Sequence, residues 1–414
     1  MTNIQQMAMK AKAVSPILAE ASSEQKNRAL EAMMTGLKDQ EKRILEANRE
    51  DIALAKTSGL NEAMIDRLSL QNRMDGILTD IEQVKQLPDP IGEVFEQQTL
   101  PNQLQVVKCR TPIGVLGVIY ESRPNVTIDV SALTIKSGNC AILRGGSETL
   151  HTNLVLVDCL QKAFVSAGLP SEAIQLLASA NRAHVQEMLR QHAYIDLIIP
   201  RGSANLQEFC RENSTIPVIF GGIGICHLFV DASADFEKAL MVIDNAKTQR
   251  PTVCNALDTL LVHGEIAPFF IPKVVDALGK KEVRFRMDEK ASKICSGCPL
   301  AGEKDWDTEW LSLVLGIKVV ENLRDAIDHI RAHSTGHSDG ILTENKANAE
   351  LFVKAIDSAA VYVNASTRFT DGGQMGLGAE VANSTQKLHA RGPMGLKELT
   401  SYKWVIRGNY HVRN

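Results

Sequence analysis

Apolar positions change their spacing along the chain, and these changes divide it into three stretches. Up to residue 87 the chain is rich in Ala, Leu, Met, Glu, Gln and Lys, with no proline between Pro16 and Pro88, which is typical of successive amphipathic helices. Residues 113–230 alternate short apolar runs with segments of helical periodicity, which predicts βαβ units and a mostly parallel sheet. A second α/β pattern follows at about residues 235–360.

Buried strands are predicted in the first α/β stretch from its short apolar runs. These are residues 115–120, 140–144, 174–177, 195–199, 218–220 and 227–230. Helical periodicity lies between several of them, for example in the series Leu150, Leu154, Val157, Leu160 and Phe164. The carboxyl ends of such strands are the usual place where a parallel sheet binds a dinucleotide.

Two further segments have strand character of a different kind. Residues 94–107 contain β-forming residues with Pro101 and Asn102 as a turn signal, which predicts a hairpin. Residues 399–414 carry several aromatic and β-branched side chains and predict a terminal strand. Because short strands at a terminus often pair with another subunit, we expect a homo-oligomer.

Composition and charge exclude several classes of function. The chain has 414 residues, 44% of them hydrophobic, a net charge of -4 and a pI near 6.2, without a basic cluster that would bind nucleic acid or an anionic membrane. No apolar run approaches the roughly 18 residues that cross a bilayer, and the first 20 residues lack a signal-peptide core. Eight cysteines are scattered through apolar segments, which favours a reducing cytoplasm.

Cys254 is predicted to be a covalent nucleophile because of its setting. A helix predicted from Phe236, Leu240, Ile243 and Ala246 should end before Pro251, and residues 257–263 predict a buried strand. A cysteine on such a connection, held by rigid elements and open to a cleft, can form a thiolate that attacks an electrophilic carbon. The alternative is an inert buried residue, which most cysteines are.

Three segments are candidates for binding phosphate. In residues 200–203, Gly202 and Ser203 follow a strand and open a helix at 204–213, so backbone N–H groups can meet a pyrophosphate; the alternative is a capped turn. In residues 143–148, Glu148 is suited to a ribose, and Arg144 with Ser147 to a 2'-phosphate. Residues 221–224 match only part of a glycine-rich fingerprint, and a turn is the alternative there.

Two possible metal sites have weak support. Cys295 and Cys298 form a lone CxxC pair without further ligands at matching spacing. His329, His333 and His337 recur every four residues, but Ser334, Thr335 and Gly336 are expected to break the helix before the third histidine. We therefore predict no metal.

Several motifs together resemble the aldehyde dehydrogenase superfamily, and in particular its members that reduce an acyl phosphate. They are residues 120–125, 249–255, 320–341 and 384–395. The resemblance covers nearly the whole chain and implies an aldehyde dehydrogenase-like α/β fold. It assigns residues 1–94 and 113–230 to a Rossmann-type NADPH-binding domain and residues 231–398 to an α/β catalytic domain. Residues 95–112 and 399–414 would form a small β element that joins subunits.

The resemblance also implies roles for individual residues. Cys254 matches the nucleophile and Asn125 the asparagine that binds the oxyanion. Glu309 matches a glutamate that contacts the nicotinamide ribose. Gly202 and Ser203 match the turn beneath the pyrophosphate. Glu148 matches the glutamate that contacts the adenosine ribose, and one extra glycine lengthens its loop, which with Arg144 and Ser147 favours NADPH over NADH.

One departure from the superfamily pattern bears on the reaction. Hydrolytic members place a glutamate just before a Gly-Gly pair to activate water, whereas Phe220 precedes Gly221 and Gly222 here. An enzyme that handles an acyl phosphate must protect its thioester from water, so this absence fits such chemistry. The implied reaction is NADPH-dependent reduction of L-glutamyl 5-phosphate to L-glutamate 5-semialdehyde and phosphate, the second step of proline biosynthesis from glutamate. Glutamate 5-kinase is the expected supplier of the labile substrate.

Two other functions remain open from the sequence. Another phosphorylating aldehyde dehydrogenase would share Cys254 and the fold while acting on a different acyl phosphate. A non-catalytic cofactor-binding scaffold would keep the nucleotide sheet, but it would have no reason to keep Cys254 together with Asn125.

Overall fold

A computed structural model describes residues 3–60, 62–179 and 181–413 and divides the chain into two compact units. The first unit comprises Met1–Gly221, Gly376–Ala382 and Pro393–Asn414, and the second comprises Gly222–Met375 and Asn383–Gly392. Each unit contains its own parallel sheet. None of the helices in the described part of the chain is both long and apolar enough to cross a membrane.

The first unit begins with the expected amphipathic helices. They are α1 (Asn3–Glu20), α2 (Ser23–Asp39), α3 (Glu41–Thr57), α4 (Glu62–Leu68) and α5 (Met74–Gln86). In α2, Leu30, Met33 and Leu37 recur on one face and are fully buried, which supplies the apolar stripe that packs a helix onto its neighbours. Ser22 begins this helix by accepting a hydrogen bond from the Gln25 N–H, so the cap fixes where the helix starts.

The predicted hairpin near residue 100 is present. Strand β1 (Val94–Thr99) pairs antiparallel with β2 (Gln105–Pro112), and a bulge lies between Phe95 and Gln97. The turn is closed by a hydrogen bond from the Leu100 N–H to the Leu104 carbonyl.

The first parallel sheet consists of strands whose predicted positions are largely confirmed. They are β3 (Val115–Tyr120), β4 (Cys140–Arg144), β5 (Ile174–Leu176) and β6 (Leu197–Arg201), in the order β5-β4-β3-β6. The helices that accompany them are α6 (Asn125–Lys136), α7 (Leu150–Ser166), α8 (Arg182–Met188) and α9 (Ala204–Asn213). Strands β3 and β4 are buried along their whole length, as expected where helices cover both faces.

Two predicted strands of this stretch lie elsewhere. Val218 makes an isolated bridge to Ile198 at the side of β6 instead of belonging to a strand, because Gly221 and Gly222 follow and end the extended run. The strand expected at 227–230 is β7 (Cys226–Val230), which pairs in the sheet of the second unit. The boundary between the units therefore falls near Gly221, before β7, and not at residue 230.

The second unit is built around a six-stranded parallel sheet. Besides β7, it contains β8 (Leu257–His263), β9 (Arg284–Met287), β10 (Val314–Val320), β11 (Ser338–Leu342) and β12 (Ala360–Val363). The strand order is β12-β11-β7-β8-β10-β9. Its helices are α10 (Phe236–Thr248), α11 (Ala267–Gly279), α12 (Glu289–Ile294), α13 (Leu323–His333) and α14 (Lys346–Ala355).

Alternate residues of these strands pack into two separate hydrophobic cores, one on each face of the sheet. Leu228 packs with α10, α11 and α12 on one face, while Phe229 packs with α13 and α14 on the other. Successive side chains of a strand point to opposite faces, so a strand covered on both sides is apolar throughout.

The end of the chain returns to the first unit as β15 (Thr400–Arg407), the predicted terminal strand. It pairs antiparallel with β2, giving a three-stranded sheet in the order β1-β2-β15. Two shorter strands, β13 (Asn383–Ser384) and β14 (Gly392–Pro393), precede it. Contact of this element with another subunit stays a prediction.

Candidate functional site

Cys254 lies on a turn that connects α10 to β8, at the amino-terminal edge of the six-stranded sheet; we call residues 249–256 the Cys254 turn. Helix α10 ends at Thr248, and Pro251, which has no N–H, prevents the helix from continuing. Cys254 is partly buried, so its thiol is not sealed in the core. The expected position between a helix and a strand is confirmed, whereas the nucleophilic role stays a prediction.

The chain just before β7 supports the backbone of Cys254. A Cβ atom on Gly224 would overlap the Cys254 carbonyl group, so this close approach of two backbones requires glycine. The Cys226 thiol donates a hydrogen bond to the same carbonyl over 3.2 Å, and burial raises the pKa of Cys226 well above its usual value. Cys226 therefore stays a protonated donor that fixes the turn and does not compete as a nucleophile.

A second segment, residues 367–370, holds the Cys254 turn from another side. The Asn255 amide donates to the Thr370 carbonyl over 2.9 Å, and the Thr367 hydroxyl donates to the Asn255 carbonyl over 2.7 Å. Arg368 donates from Nη1 to the Asn255 Oδ1 and from Nε to the Gln249 Oε1 over 3.0 Å. The nucleophile candidate is thus flanked by fixed backbone on both sides.

A buried ion pair joins the two elements that flank the turn. Lys247, at the end of α10, lies 3.7 Å from the Asp258 carboxylate of β8 and donates to the Leu257 carbonyl over 2.8 Å. Burial raises the pKa of Asp258 to about 7 and lowers that of Lys247, while each partner's charge acts in the opposite direction. These contacts couple the end of the helix to the strand. Removing one partner would leave the other as an uncompensated buried charge.

Glu309 lies in the same unit as Cys254 and is tied to the same support. Its Oε1 accepts a hydrogen bond of 3.0 Å from the Gly224 N–H, and Gly224 abuts the Cys254 carbonyl. The next residue, Trp310, donates its N–H to Asp258 over 3.2 Å. The structure therefore brings together Cys254 and Glu309; contact of Glu309 with a nicotinamide ribose stays a prediction.

In the first unit, Gly202 and Ser203 lie at the carboxyl edge of the parallel sheet, between β6 and α9. Ser203 caps α9 by accepting from the Leu206 N–H, and its own N–H donates to the Glu121 Oε2 over 2.8 Å. A Cβ atom on Gly202 would overlap that carboxylate. The backbone at the start of α9 therefore donates a hydrogen bond to an anionic oxygen. A pyrophosphate could take this position if the Glu121 carboxylate moved away.

Arg144, Ser147 and Glu148 follow β4 at the same edge. Glu148 Oε1 accepts from the Ser122 N–H over 2.7 Å and from its hydroxyl over 2.9 Å. Arg144 is only 8% exposed. Burial lowers its pKa, and the charges of Glu148 and Glu121 oppose that effect. Arg144 is therefore balanced by carboxylates within the edge, whereas Ser147 is exposed.

Asn125 is the first residue of α6, just beyond β3. Its Nδ2 donates to the Asp129 Oδ2 one turn later, over 2.9 Å. Burial and the charge of Asp80 raise the pKa of Asp129 to about 7, with Arg201 acting in the opposite direction and Glu380 in the same one. The Asn125 amide has a second N–H, which can donate a hydrogen bond to an oxyanion.

Sequence reasoning missed Glu121, Asp129 and Arg368. Glu121 and Asp129 follow the carboxyl end of β3, where ligand-binding residues of parallel sheets cluster, so the predicted strand could have drawn attention to them. Arg368 contacts Asn255, a residue 113 positions away. Its polar neighbourhood in residues 364–371 is an ordinary loop composition, and the sequence offers no comparable signal for it.

The histidine series is divided by the end of a helix. Helix α13 ends at His333, and Ser334 has an extended backbone conformation. The expected break of the helix before His337 is therefore confirmed. His329 lies 3.1 Å from the Lys318 amine, and burial lowers its pKa to about 2. Among the described residues, no group of three or more His, Cys, Asp or Glu side chains is arranged to hold a metal ion.

Comparisons with known proteins agree on the family of this chain. The family model described as the aldehyde dehydrogenase family matches residues 2–296. The gamma-glutamyl phosphate reductase of Psychromonas ingrahamii is 54% identical over 413 residues, which cover 99% of this chain and 100% of that protein. That of Pasteurella multocida is 52% identical over 418 residues, with 100% of both chains covered.

Solved structures give the same result. The crystal structure of gamma-glutamyl phosphate reductase from Thermotoga maritima superimposes with a TM-score of 0.97 at 47% identity and covers 100% of both chains. An acetylating aldehyde dehydrogenase from Geobacillus thermoglucosidasius has a TM-score of 0.73 at 18% identity, covering 99% of this chain and 97% of that one. The second likeness concerns the fold alone, and it confirms the predicted aldehyde dehydrogenase-like architecture.

Proposed function

Because the chain belongs to the aldehyde dehydrogenase family and, within it, to the gamma-glutamyl phosphate reductases, we propose that it reduces L-glutamyl 5-phosphate to L-glutamate 5-semialdehyde and phosphate, the second step of proline biosynthesis. The observation that carries the proposal is Cys254. It is a partly buried thiol on a turn fixed through Gly224, Cys226 and Asn255, in a chain 54% identical to one such reductase over its whole length.

The Cys254 thiolate attacks the acyl carbon of the substrate. A bond forms between sulfur and carbon, and the negative oxygen accepts hydrogen bonds from the Asn125 amide and from the Cys254 N–H. The bond from carbon to the phosphate oxygen then breaks, and the electron pair leaves with phosphate. The product of this half-reaction is a thioester on Cys254. Cleavage of the carbon–sulfur bond after reduction releases the aldehyde and restores the thiolate.

The residues of the first unit fit a nicotinamide cofactor, which when bound supplies the hydride for the thioester carbon. Ser203 and Gly202 would hold the pyrophosphate in place of Glu121, since the helix start already receives an anionic oxygen there. Glu148 would hold the adenosine ribose. Glu309 of the second unit would hold the nicotinamide ribose.

We propose NADPH as the preferred cofactor. Ser147 is exposed at the start of its turn, and Arg182 is an exposed cation whose charge acts on buried Arg144. Both Arg144 and Arg182 make the surroundings of Ser147 favourable for a 2'-phosphate. The preference is tested by comparing kcat/KM for NADPH and NADH in the wild type, Ser147→Ala and Arg182→Ala. Equal efficiency with NADH in the wild type would refute it.

Water must be kept from the thioester while phosphate is admitted. Phe220 occupies the place where hydrolytic relatives carry a glutamate, and Glu309 has one carboxylate oxygen occupied by the Gly224 N–H. A carboxylate held in this way is a poorer base than one directed at water. Phosphate is therefore the group that exchanges with the thioester.

The three-stranded sheet is proposed to join subunits of a homo-oligomer. Tyr402, Trp404 and Ile406 of β15 are 46%, 51% and 60% exposed, and β15 is an edge strand of that sheet. Exposed edge strands with apolar side chains are suited to pairing with another chain. We further propose that glutamate 5-kinase delivers the labile acyl phosphate and that the protein is cytoplasmic, where its thiols stay reduced.

The reaction is tested most directly in reverse, as phosphate-dependent reduction of NADP by L-glutamate 5-semialdehyde. Cys254→Ala should lower this rate at least about a thousandfold, because no other group can form the thioester. Cofactor binding and the melting temperature should be retained. Trapped acyl-enzyme should carry its adduct on Cys254.

Three results would count against the proposal. They are a Cys254→Ala rate of about a tenth of wild type or more, an adduct on Cys295 or Cys298, and a wild type that oxidises the semialdehyde without phosphate. Substitution of other acyl phosphates in the forward direction separates this function from that of a different phosphorylating aldehyde dehydrogenase.

A further inference from the structure

Arg368 is a partly buried cation fixed to both ends of the Cys254 turn. Its Nε donates to the Gln249 side chain over 3.0 Å, and its Nη1 donates to the Asn255 side chain. Gln249 begins the turn and Asn255 directly follows the nucleophile. Two bonds from one planar guanidinium fix its orientation, so the position of this charge near Cys254 is built into the fold.

Among the residues that the structure describes, this cation has hydrogen-bond partners but no ion-pair partner. Within the described residues, no carboxylate lies within ion-pairing distance of Arg368 or of exposed Arg250. The acidic neighbour Asp371 directs its Oδ1 to the N–H groups of Gly373 and Gln374. A guanidinium that is fixed beside the candidate nucleophile and is not neutralised by a neighbouring acid is suited to bind an anionic ligand.

The charge balance around Arg368 supports the same conclusion. Its pKa is lowered chiefly by burial and further by Arg250, whereas Asp371, Cys254 and Cys226 act in the opposite direction. The guanidinium uses two of its five N–H groups for Gln249 and Asn255, which leaves three for other acceptors. A bound anion would offset both the burial cost and the repulsion from Arg250.

We propose that Arg368 binds the phosphoryl group of the acyl phosphate next to the carbon that Cys254 attacks, and binds inorganic phosphate in the reverse reaction. This inference rests on the proposed function. As the sulfur–carbon bond forms and the carbon–oxygen bond to phosphate breaks, the electron pair departs on a phosphate oxygen. The guanidinium neutralises that charge, and no further reactant is needed.

A matched pair of variants separates charge from mechanical support. Arg368→Gln removes the charge, whereas Thr367→Val removes the neighbouring hydrogen bond to the Asn255 carbonyl and leaves the charge. In the reverse assay Arg368→Gln should raise the KM for phosphate about tenfold or more, with Arg368→Lys intermediate. The KM for the semialdehyde should change less than about threefold, and Thr367→Val should leave the KM for phosphate within about twofold. Arg331→Gln, on α13, serves as a remote arginine control.

A second measurement needs no turnover. Inorganic phosphate should slow alkylation of Cys254 by iodoacetamide in the wild type, followed by mass spectrometry, and Arg368→Gln should need about tenfold more phosphate for equal protection. If the wild type fails to reduce NADP with phosphate, the proposed function falls while this protection still tests the anion site. Circular dichroism and the melting temperature show whether a variant has folded. If Arg368→Gln does not fold, Arg368→Lys is compared with the wild type in its place.

Three outcomes would overturn the inference. Equal protection of Arg368→Gln and the wild type by phosphate would exclude phosphate binding at this arginine. An equal rise of the KM for phosphate in Thr367→Val would mean that Arg368 acts by supporting the Cys254 turn and not by its charge. A rise confined to the KM for the semialdehyde would assign Arg368 to the substrate's carboxylate instead.

Discussion

The two parallel sheets of this molecule carry their candidate functional residues at opposite ends of their strands. In the first unit, Glu121, Arg144 and Ser203 lie at or just beyond the carboxyl ends of β3, β4 and β6. In the second unit, Gly224 and Cys254 lie just before the amino ends of β7 and β8. A general rule places ligands at the carboxyl edge of a parallel sheet, whereas the amino edge gains a site only through the packing of particular turns.

The two edges also differ in how their charges are balanced. At the first edge, backbone N–H groups of Ser122 and Ser203 are occupied by Glu148 and Glu121. At the second edge, the Arg368 guanidinium has polar partners but no acid within ion-pairing distance among the described residues. The first edge must release its own acids to receive an anionic ligand, and the second is ready to receive one.

After the loss expected for Cys254→Ala, the next largest effect concerns Asn125, which belongs to the carboxyl edge but is proposed to serve the reaction at Cys254. Asn125→Ala should lower kcat about a hundredfold to a thousandfold with a smaller change in KM, because its hydrogen bond is fully made only in the transition state. Asn125→Asp should be at least as harmful, since it replaces a donor by a negative charge. Steady-state kinetics measure both, and a loss expressed mainly in KM would assign Asn125 to substrate binding.

Gly224 tests whether the amino edge depends on close backbone packing. Gly224→Ala should lower kcat about tenfold or more and destabilise the protein by about 2 kcal/mol, because the new methyl group must displace the Cys254 carbonyl. Gly279→Ala is the matched control, because a Cβ atom there meets no atom within 4 Å. Kinetics and chemical unfolding are measured together, and equal behaviour of the two variants would remove Gly224 from the support of Cys254.

The contrast between the edges explains what could be predicted from sequence. Strands β3 and β4 are almost continuous apolar runs bounded by turn residues, and their local pattern is enough to predict their positions. Cys254 was found because its connection is local in sequence. The contact of Glu121 with Ser203 joins residues 82 positions apart, and that of Arg368 with Asn255 joins residues 113 positions apart. Such contacts arise from tertiary packing, which periodicity does not encode.

Residues 218–220 show the opposite case, in which a local pattern predicts a strand that the structure does not contain. Their apolar side chains favour a strand, but a strand needs a neighbour along its length, and the glycines that follow end the extended run after one bridge to Ile198. The misplaced boundary at residue 230 has a related cause, because the assignment of β7 to a sheet depends on its partners β8 and β11. Neither partner is implied by the sequence of β7 itself.

Asp129 provides a pH test of the carboxyl edge. Burial raises its pKa from 3.8 to about 7 in the folded protein, so the folded state holds this proton more tightly than the unfolded state does. The stabilisation is present below the unfolded pKa and is lost as the pH rises through about 7. Between about pH 5 and pH 8 the wild type should lose about 1 kcal/mol more stability than Asp129→Asn, a value reduced by solvent screening.

Chemical unfolding at the two pH values measures this difference directly. Asp75→Asn, an exposed acid on α5, is the control and should follow the wild type. If Asp129→Asn loses as much stability as the wild type over this range, Asp129 is ionised in the folded protein throughout. Its hydrogen bond to Asn125 would then be that of a permanent carboxylate.

The smallest expected effect concerns Glu121 and bears most directly on the contrast between the edges. Its carboxylate accepts from the Ser203 N–H at the start of α9, the position proposed for the cofactor pyrophosphate. Glu121→Gln keeps an oxygen that can accept this bond but removes the competing negative charge, so NADPH should bind about threefold more tightly. Glu208→Gln removes an equal charge from the exposed side of α9 and should leave the Kd unchanged, as measured by cofactor fluorescence. Weaker binding in Glu121→Gln would mean that the carboxylate helps to hold the cofactor, and the first edge would then not need to release its acid.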